Sequence, residues 1–190
     1  MERKMFIQTE TTPNPATLKF LPGRPVMTEG ALEIRDARAA EASPLARALF
    51  SIEGVSGVMF GADFVSVTKS EAEDWSHLKP AILGAVMEHF ITGAPLLEGA
   101  AAERGASDEF FAPEDADTVS AIKELIETRV RPAVAGDGGD IVFRGFEKGV
   151  VYLQMKGACS GCPSSTATLK HGIQNLLRHF LPDVQSVEQI

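Results

Sequence analysis

Two cysteines stand three residues apart near the end of the chain, in Gly157-Ala158-Cys159-Ser160-Gly161-Cys162-Pro163-Ser164, and the other 188 residues contain none. What flanks this C-x-x-C constrains the fold. Upstream, Val151, Leu153 and Met155 alternate as one face of a strand over 150–155. Downstream, Leu169, Ile173, Leu176, Leu177 and Phe180 recur at helical spacing. Pro163 suits the first position of that helix, where its missing N–H costs nothing. The sulfurs are therefore expected in a strand-to-helix loop, facing the free N–H groups and positive dipole end of a helix N-terminus. That placement favours thiolate by about 0.3–1 kcal/mol per charge. Gly157 and Gly161 keep the loop slim enough for backbone amides to approach a sulfur-bound ligand. The sequence describes a soft-metal or redox loop.

Composition narrows the setting. With 190 residues and 44% hydrophobic content, the chain suits one large or two small domains with cores of their own. A net charge of −8 argues against non-specific binding to nucleic acid or docking to an anionic membrane. Apolar runs fall far short of a membrane span. The start, Met1-Glu2-Arg3-Lys4-Met5-Phe6-Ile7, shows no signal-peptide pattern. Paired cysteines in that context predict a reducing compartment and functional sulfur rather than a disulfide framework.

Taken in order, residues 1–91 predict an α/β unit. Strands are expected over 5–10 and 17–21, on either side of the turn-rich Thr11-Thr12-Pro13-Asn14-Pro15. A short helix follows over 44–51, with Ser43 as N-cap and Pro44 in its first turn. A hairpin over 55–60 and 64–68 turns at Gly61-Ala62-Asp63. A long helix over 74–91 buries Trp75, Leu78, Ile82, Val86 and Phe90, with Pro80 near its start expected to bend it or shift its first turn. Residues 92–114 read as an acidic linker that carries −4 of the −8, and adjacent Phe110 and Phe111 sit in it awaiting a surface. From 115 a helix runs to about 134 on a stripe of Val119, Ile122, Ile126 and Val130, with Asp117 as cap and Pro132 ending or distorting it. Asp137-Gly138-Gly139-Asp140 is a tight turn, followed by a strand over 141–146, a hairpin at Glu147-Lys148-Gly149, the strand into the C-x-x-C, its helix, and an edge strand within 184–190. Gly172 inside that last helix costs about 1 kcal/mol against alanine, and close packing on the sheet would explain it. Each half repeats helix, strand, strand, helix. In the first half the loop equivalent to the cysteine loop is Lys69-Ser70-Glu71-Ala72-Glu73-Asp74, which has no soft ligand.

Three chemistries compete for Cys159 and Cys162. A thioredoxin-type dithiol also sits between strand and helix, but the longer β-α-β preamble of such a fold is missing. Structural zinc needs four ligands. His171 and His179 lie down the shaft of the helix, pointing away from its mouth, so one chain offers no complete zinc site. An iron–sulfur cubane takes four thiolates. Two per chain implies one cluster shared across a two-fold axis, near the surface and labile, as suits transfer.

The motifs Asp137-Gly138-Gly139-Asp140-Ile141, Gly157-Ala158-Cys159-Ser160-Gly161-Cys162-Pro163-Ser164-Ser165-Thr166 and Leu169-Lys170-His171-Gly172-Ile173 resemble the C-terminal domain of the NifU-like (Nfu) iron–sulfur proteins. Phe6-Ile7-Gln8-Thr9-Glu10-Thr11-Thr12-Pro13-Asn14-Pro15-Ala16-Thr17-Leu18-Lys19-Phe20 resembles the N-terminal domain of two-domain members. The resemblance implies a 4Fe-4S cluster held between two subunits by Cys159 and Cys162 and delivered to apo iron–sulfur enzymes, downstream of cluster assembly proteins. The expectation is an α+β chain of two small α/β-sandwich-like domains: a metal-free N-terminal domain (1–91), an acidic linker (92–114) and a cluster-bearing domain (115–190). The role is scaffold and carrier rather than catalysis, with a homodimer when loaded. The competing role is a dithiol/disulfide oxidoreductase on the same cysteines. The compartment expected from the start of the chain is bacterial cytoplasm, or the mitochondrial matrix for a matured organellar form.

Overall fold

The computed structural model describes residues 5–98, 109–160 and 163–190, the side chains of 163–165 excepted. The chain divides into two compact units, Met1–Gly105 and Ala106–Ile190, and both mix helices with sheet in an α+β fold.

In the first unit a five-stranded antiparallel sheet has the order β1-β2-β5-β4-β3. Its strands are β1 (Gln8–Thr11), β2 (Thr17–Leu21), β3 (Leu32–Ile34), β4 (Val55–Phe60) and β5 (Val65–Lys69). Alternate residues Leu18, Phe20, Val58, Phe60, Val65 and Val67 enter one core with α2 (Pro44–Phe50) and α3 (Trp75–Thr92). A short α1 (Ala37–Ala40) precedes α2. Local chemistry sets the helix starts. Ser43 Oγ accepts from the Ala46 N–H at 3.2 Å, and Asp74 Oδ1 accepts from the Ser76 N–H at 2.7 Å. Helix α3 continues through Pro80 as one element. His89, only 8% exposed, takes the fully buried place expected of Phe90, which is half-buried beside it. The first strand starts at Gln8 rather than Met5.

The second unit is built on the hairpin of β7 (Gly139–Glu147) and β8 (Val150–Gly157). Its two-residue turn, Lys148-Gly149, has φ of 50° and 81°, the left-handed pair that suits the twist of a tight hairpin. The sheet order is β6-β7-β8-β9, with β6 (Phe110–Phe111) and β9 (Ser186–Gln189) parallel to their neighbours. Phe110 and Phe111, read as linker from sequence, are thus a strand. The Phe110 ring lies over Gly145, where any Cβ would strike it, and reaches the Tyr152 ring at 5.2 Å.

One long helical run covers the opposite face. Helix α4 (Ala116–Leu125), a π-helical segment (Ile126–Val130) and α5 (Arg131–Gly136) follow without interruption. Asp117 lies inside the first turn and is not the cap; the residue before the helix, Asp115, makes no side-chain cap bond. Pro132 neither ends nor breaks the run. A proline ring clashes with the carbonyl four residues back, and the wider π-turn just before it, closed by the Arg131 N–H to Ile126 O, opens that space. Val119, Ile122, Ile126, Val130 and Val134 pack with Ile141, Phe143, Leu153 and Met155, and with Ile173 and Leu177 of α6 (Pro163–Phe180). Gly172 on α6 is exposed, and a Cβ there would meet nothing within 4 Å. Sheet packing is therefore not what requires it.

Candidate cluster-binding loop

The strand-to-helix junction expected from the sequence is where Cys159 lies. Strand β8 ends at Gly157, whose φ of 66° turns the chain, and a single 3-10 turn, Ala158–Ser160, carries Cys159 toward α6. Three hydrogen bonds fix that turn. The Ala158 N–H donates to Gly138 O at 3.3 Å, Ser160 Oγ donates to Gly157 O at 2.9 Å, and Thr166 Oγ1 donates to Cys159 O at 2.8 Å. The last bond ties the first turn of α6 back to the Cys159 carbonyl. Cys162 lies outside the described residues.

Cys159 is a free thiol, only 6% exposed, and belongs to the core of its unit. Its floor is the start of β7. A Cβ on Gly139 would stand 2.6 Å from Cys159 Sγ and 2.8 Å from Lys156 O, so only glycine fits under the sulfur. Gly138, at φ 76°, supplies the left-handed turn before it. The two glycines thus do different jobs, where the sequence suggested one tight turn.

The thiol is not poised as the helix-mouth argument expected. Burial, with the negative charge of Asp137 and Asp140 added, pushes it up to about 11. Removal from water outweighs a dipole contribution that is under about 1 kcal/mol. A free thiol here is protonated at neutral pH, and a bound metal would have to displace the proton.

Beneath the loop lies an ion pair that sequence reasoning missed. Asp140, 5% exposed, accepts from Arg131 Nε at 2.9 Å and from Nη2 at 3.1 Å. Arg131 Nη1 also donates to Glu127 Oε2 at 2.6 Å. The Asp140 hydrogen bond holds the guanidinium well above its ordinary pKa against the cost of burial. Arginine and aspartate flank the π-segment and the strand start, so the pair locks the long helix to the strand that floors Cys159. The only available signal was a pair of aspartates, Asp137 and Asp140, bracketing two glycines. Among the described residues no three His, Cys, Asp or Glu side chains gather as a metal site. His171 and His179 are exposed on α6, as their spacing indicated.

Residues 7–93 match the family described as scaffold protein Nfu/NifU N terminal, and residues 122–188 match the NifU-like domain family. "NifU-like protein 4, mitochondrial" of Arabidopsis thaliana is 53% identical over 190 residues, covering 98% of this chain and 66% of the relative. "NFU1 iron-sulfur cluster scaffold homolog, mitochondrial" of Homo sapiens is 50% identical over 189 residues, covering 99% of this chain and 73% of the relative. The chain spans about two thirds of the length of several such relatives. Among solved structures, the solution NMR structure of a NifU-like protein from Saccharomyces cerevisiae is 26% identical and covers 52% of this chain and 90% of that one, at a TM-score of 0.47.

Proposed function

The chain belongs to the Nfu family of NifU-like iron–sulfur cluster scaffold proteins, and from that premise we propose that two chains hold one 4Fe-4S cluster through Cys159 and Cys162 and pass it to apo-proteins. The observation that carries this reading is the seat of Cys159: a hydrogen-bonded turn at the head of α6, floored by a glycine that leaves room for sulfur and nothing larger. A cubane needs four thiolates and the chain has two cysteines, so two loops must face each other across a two-fold axis. The cluster is cargo. Thr166 and Ser160 fix the backbone around the ligand, and Gly157 ends the strand so that both cysteines stay in one short segment. Release is ligand exchange: an incoming deprotonated cysteine of the recipient displaces one thiolate of the donor, which takes up a proton as it leaves. No bond of the recipient's own chain is made or broken, so the role is carrier and not enzyme.

The dithiol oxidoreductase reading fits less well. An attacking thiol needs exposure and a lowered pKa, and Cys159 has neither. The N-terminal unit, with no soft ligand in the equivalent loop, is metal-free in this proposal. Its partners are cluster assembly proteins upstream and apo iron–sulfur enzymes downstream. The relatives reported above are named mitochondrial, which favours the matrix reading and gives the bacterial cytoplasmic one no support.

Anaerobic reconstitution tests the proposal. Iron and acid-labile sulfide should each reach about four per pair of chains, light scattering should show a dimer only when the cluster is bound, and Cys159→Ser should lose both. Recovery of an apo 4Fe-4S dehydratase should persist in the presence of a modest chelator. A monomer carrying a full cubane, or a Cys159→Ser chain with undiminished iron, would overturn the ligand assignment.

A further inference from the structure

Helix α6 carries a glycine that its own packing does not require. Apart from its chain neighbours and the backbone of α6 itself, no atom lies within 4 Å of a Cβ built on Gly172, yet glycine is the poorest helix former after proline. What Gly172 borders is space: an apolar groove of about 290 Å3 between α6 and the Ala116–Gly136 helical run. Val130 and Ile173, 5% and 3% exposed, lie deepest in its lining, and Ala133, Leu169 and Leu176 complete its walls with Gly172. At one end Arg129 sits 5.8 Å over the ring of Phe180, which is 47% exposed and prolongs the apolar strip. We infer that this groove receives an amphipathic helix of another protein, apolar side inward and acidic residues at its flanks.

Shape and charge support that occupant. From Leu169 to Phe180 the strip runs for three helical turns, about 17 Å, the span over which a docked helix presents i, i+3/i+4 and i+7 anchors. A side chain at position 172 would project into the path, so the glycine keeps the channel open. The charge is one-sided on a chain whose total is −8. Across its 18 residues α6 has no Asp or Glu; its Lys170 is taken by Glu188 at 2.8 Å, so the cation at the groove itself is Arg129. Among the described residues Arg129 forms no ion pair, whereas Glu127 on the same helical run is taken by Arg131. A second copy laying its own α6 in the groove would set an acid-free helix against Arg129, so like charges disfavour it there. An acidic-flanked helix meets Arg129 in the groove lining and no carboxylate from α6. The groove opens about 9 Å along α6 from the helix start, which would bring a docked protein close to the cysteine loop. Docking itself does not depend on cysteine ligation.

The test uses the full, cluster-free chain and two synthetic helical peptides of about 16 residues, with identical leucine spacing and either Glu or Lys flanks. Fluorescence anisotropy should show saturable micromolar binding of the Glu peptide, with roughly tenfold weaker binding of the Lys peptide. Amide NMR shifts should cluster at 129–133 and 168–180. Gly172→Leu should weaken the Glu peptide roughly tenfold or more without lowering the thermal midpoint, and Arg129→Glu should reverse the preference for flank charge. The Cys159→Ser chain should bind as wild type does, so loss of the cluster reading would leave this one standing. Equal affinity for both peptides, binding by neither, or binding unaffected by Gly172→Leu would overturn the inference. So would self-association of the free chain that Gly172→Leu abolishes, since that would assign the groove to a second copy.

Discussion

Replacing Arg131 by glutamine should destabilise the second unit selectively. The side chain makes two bonds to Asp140, at 2.9 and 3.1 Å, and one to Glu127 at 2.6 Å. Asp140 keeps only 7% of its side-chain surface and Arg131 keeps 27%. Removing one partner of a fully buried pair costs about 3–5 kcal/mol, most of it the desolvated charge left behind. Water that reaches the exposed quarter of Arg131 lowers that to about 2–3 kcal/mol, and the surface bond to Glu127 adds only a few tenths. In a unit of 85 residues (106–190) this corresponds to a fall in Tm of roughly 10–20 °C.

Two natural probes make the assay selective. Trp75 is the only tryptophan and lies in the first unit, while Tyr152 is the only tyrosine and lies in the second. Tyrosine near-ultraviolet circular dichroism should report the lowered transition, and Trp75 fluorescence should stay at its wild-type midpoint. Asp140→Asn should cost less, because the charge it strands is partly solvated. The double variant should recover a coupling of about 1–2 kcal/mol against the sum of the singles. A Tyr152 transition within about 2 °C of wild type, or a Trp75 transition that falls equally, would refute the idea that this pair braces the floor of the cysteine loop.

What the sequence made legible is what periodicity and local capping encode. The alternation of Val151, Leu153 and Met155 and the stripe through Ile173 and Leu177 located β8 and α6, and Ser43 marked the start of α2 by a bond that spans only three residues. The Lys148-Gly149 turn was legible for the same reason. Features that depend on distant partners were not. Strand β6 is two residues long, too short for alternation, and takes its identity from pairing with Gly145 and Phe146. The passage of the helix through Pro132 required a π-turn, which no composition signals. In the loop, residue types indicated ligand chemistry, but the state of Cys159 depends on how deeply the turn is sunk over Gly139. A helix dipole can be inferred from an adjacent helix; burial cannot. Arg131 and Asp140, nine residues apart on different elements, carried no pattern linking them.

Gly139→Ala should drive a methyl group into Cys159 Sγ and the Lys156 carbonyl; the backbone atom cannot yield cheaply, so about 1–3 kcal/mol of stability is lost. The Tyr152 transition should fall while Gly172→Ala, with open space around it, leaves it level or raises it; equal behaviour of the two would contradict the close-packed floor. In the first unit, acid should act through His89. Burial alone holds its imidazole below the ordinary value of 6.5, so the folded unit keeps it neutral while the unfolded chain can take up the proton. As pH falls through about 6.5 toward the lower folded pKa, the unfolded state binds more protons than the folded one. Stability that is full above that window is therefore lost on acidification and does not increase. The Trp75 midpoint should drop between pH 7.5 and 5.5 by more in wild type than in His89→Gln, which has no proton to gain there. Carboxylates elsewhere titrate in both proteins and cancel in the difference. Equal slopes for the two would mean that His89 is reached by water and protonated in the folded unit, and its burial would not govern the acid response.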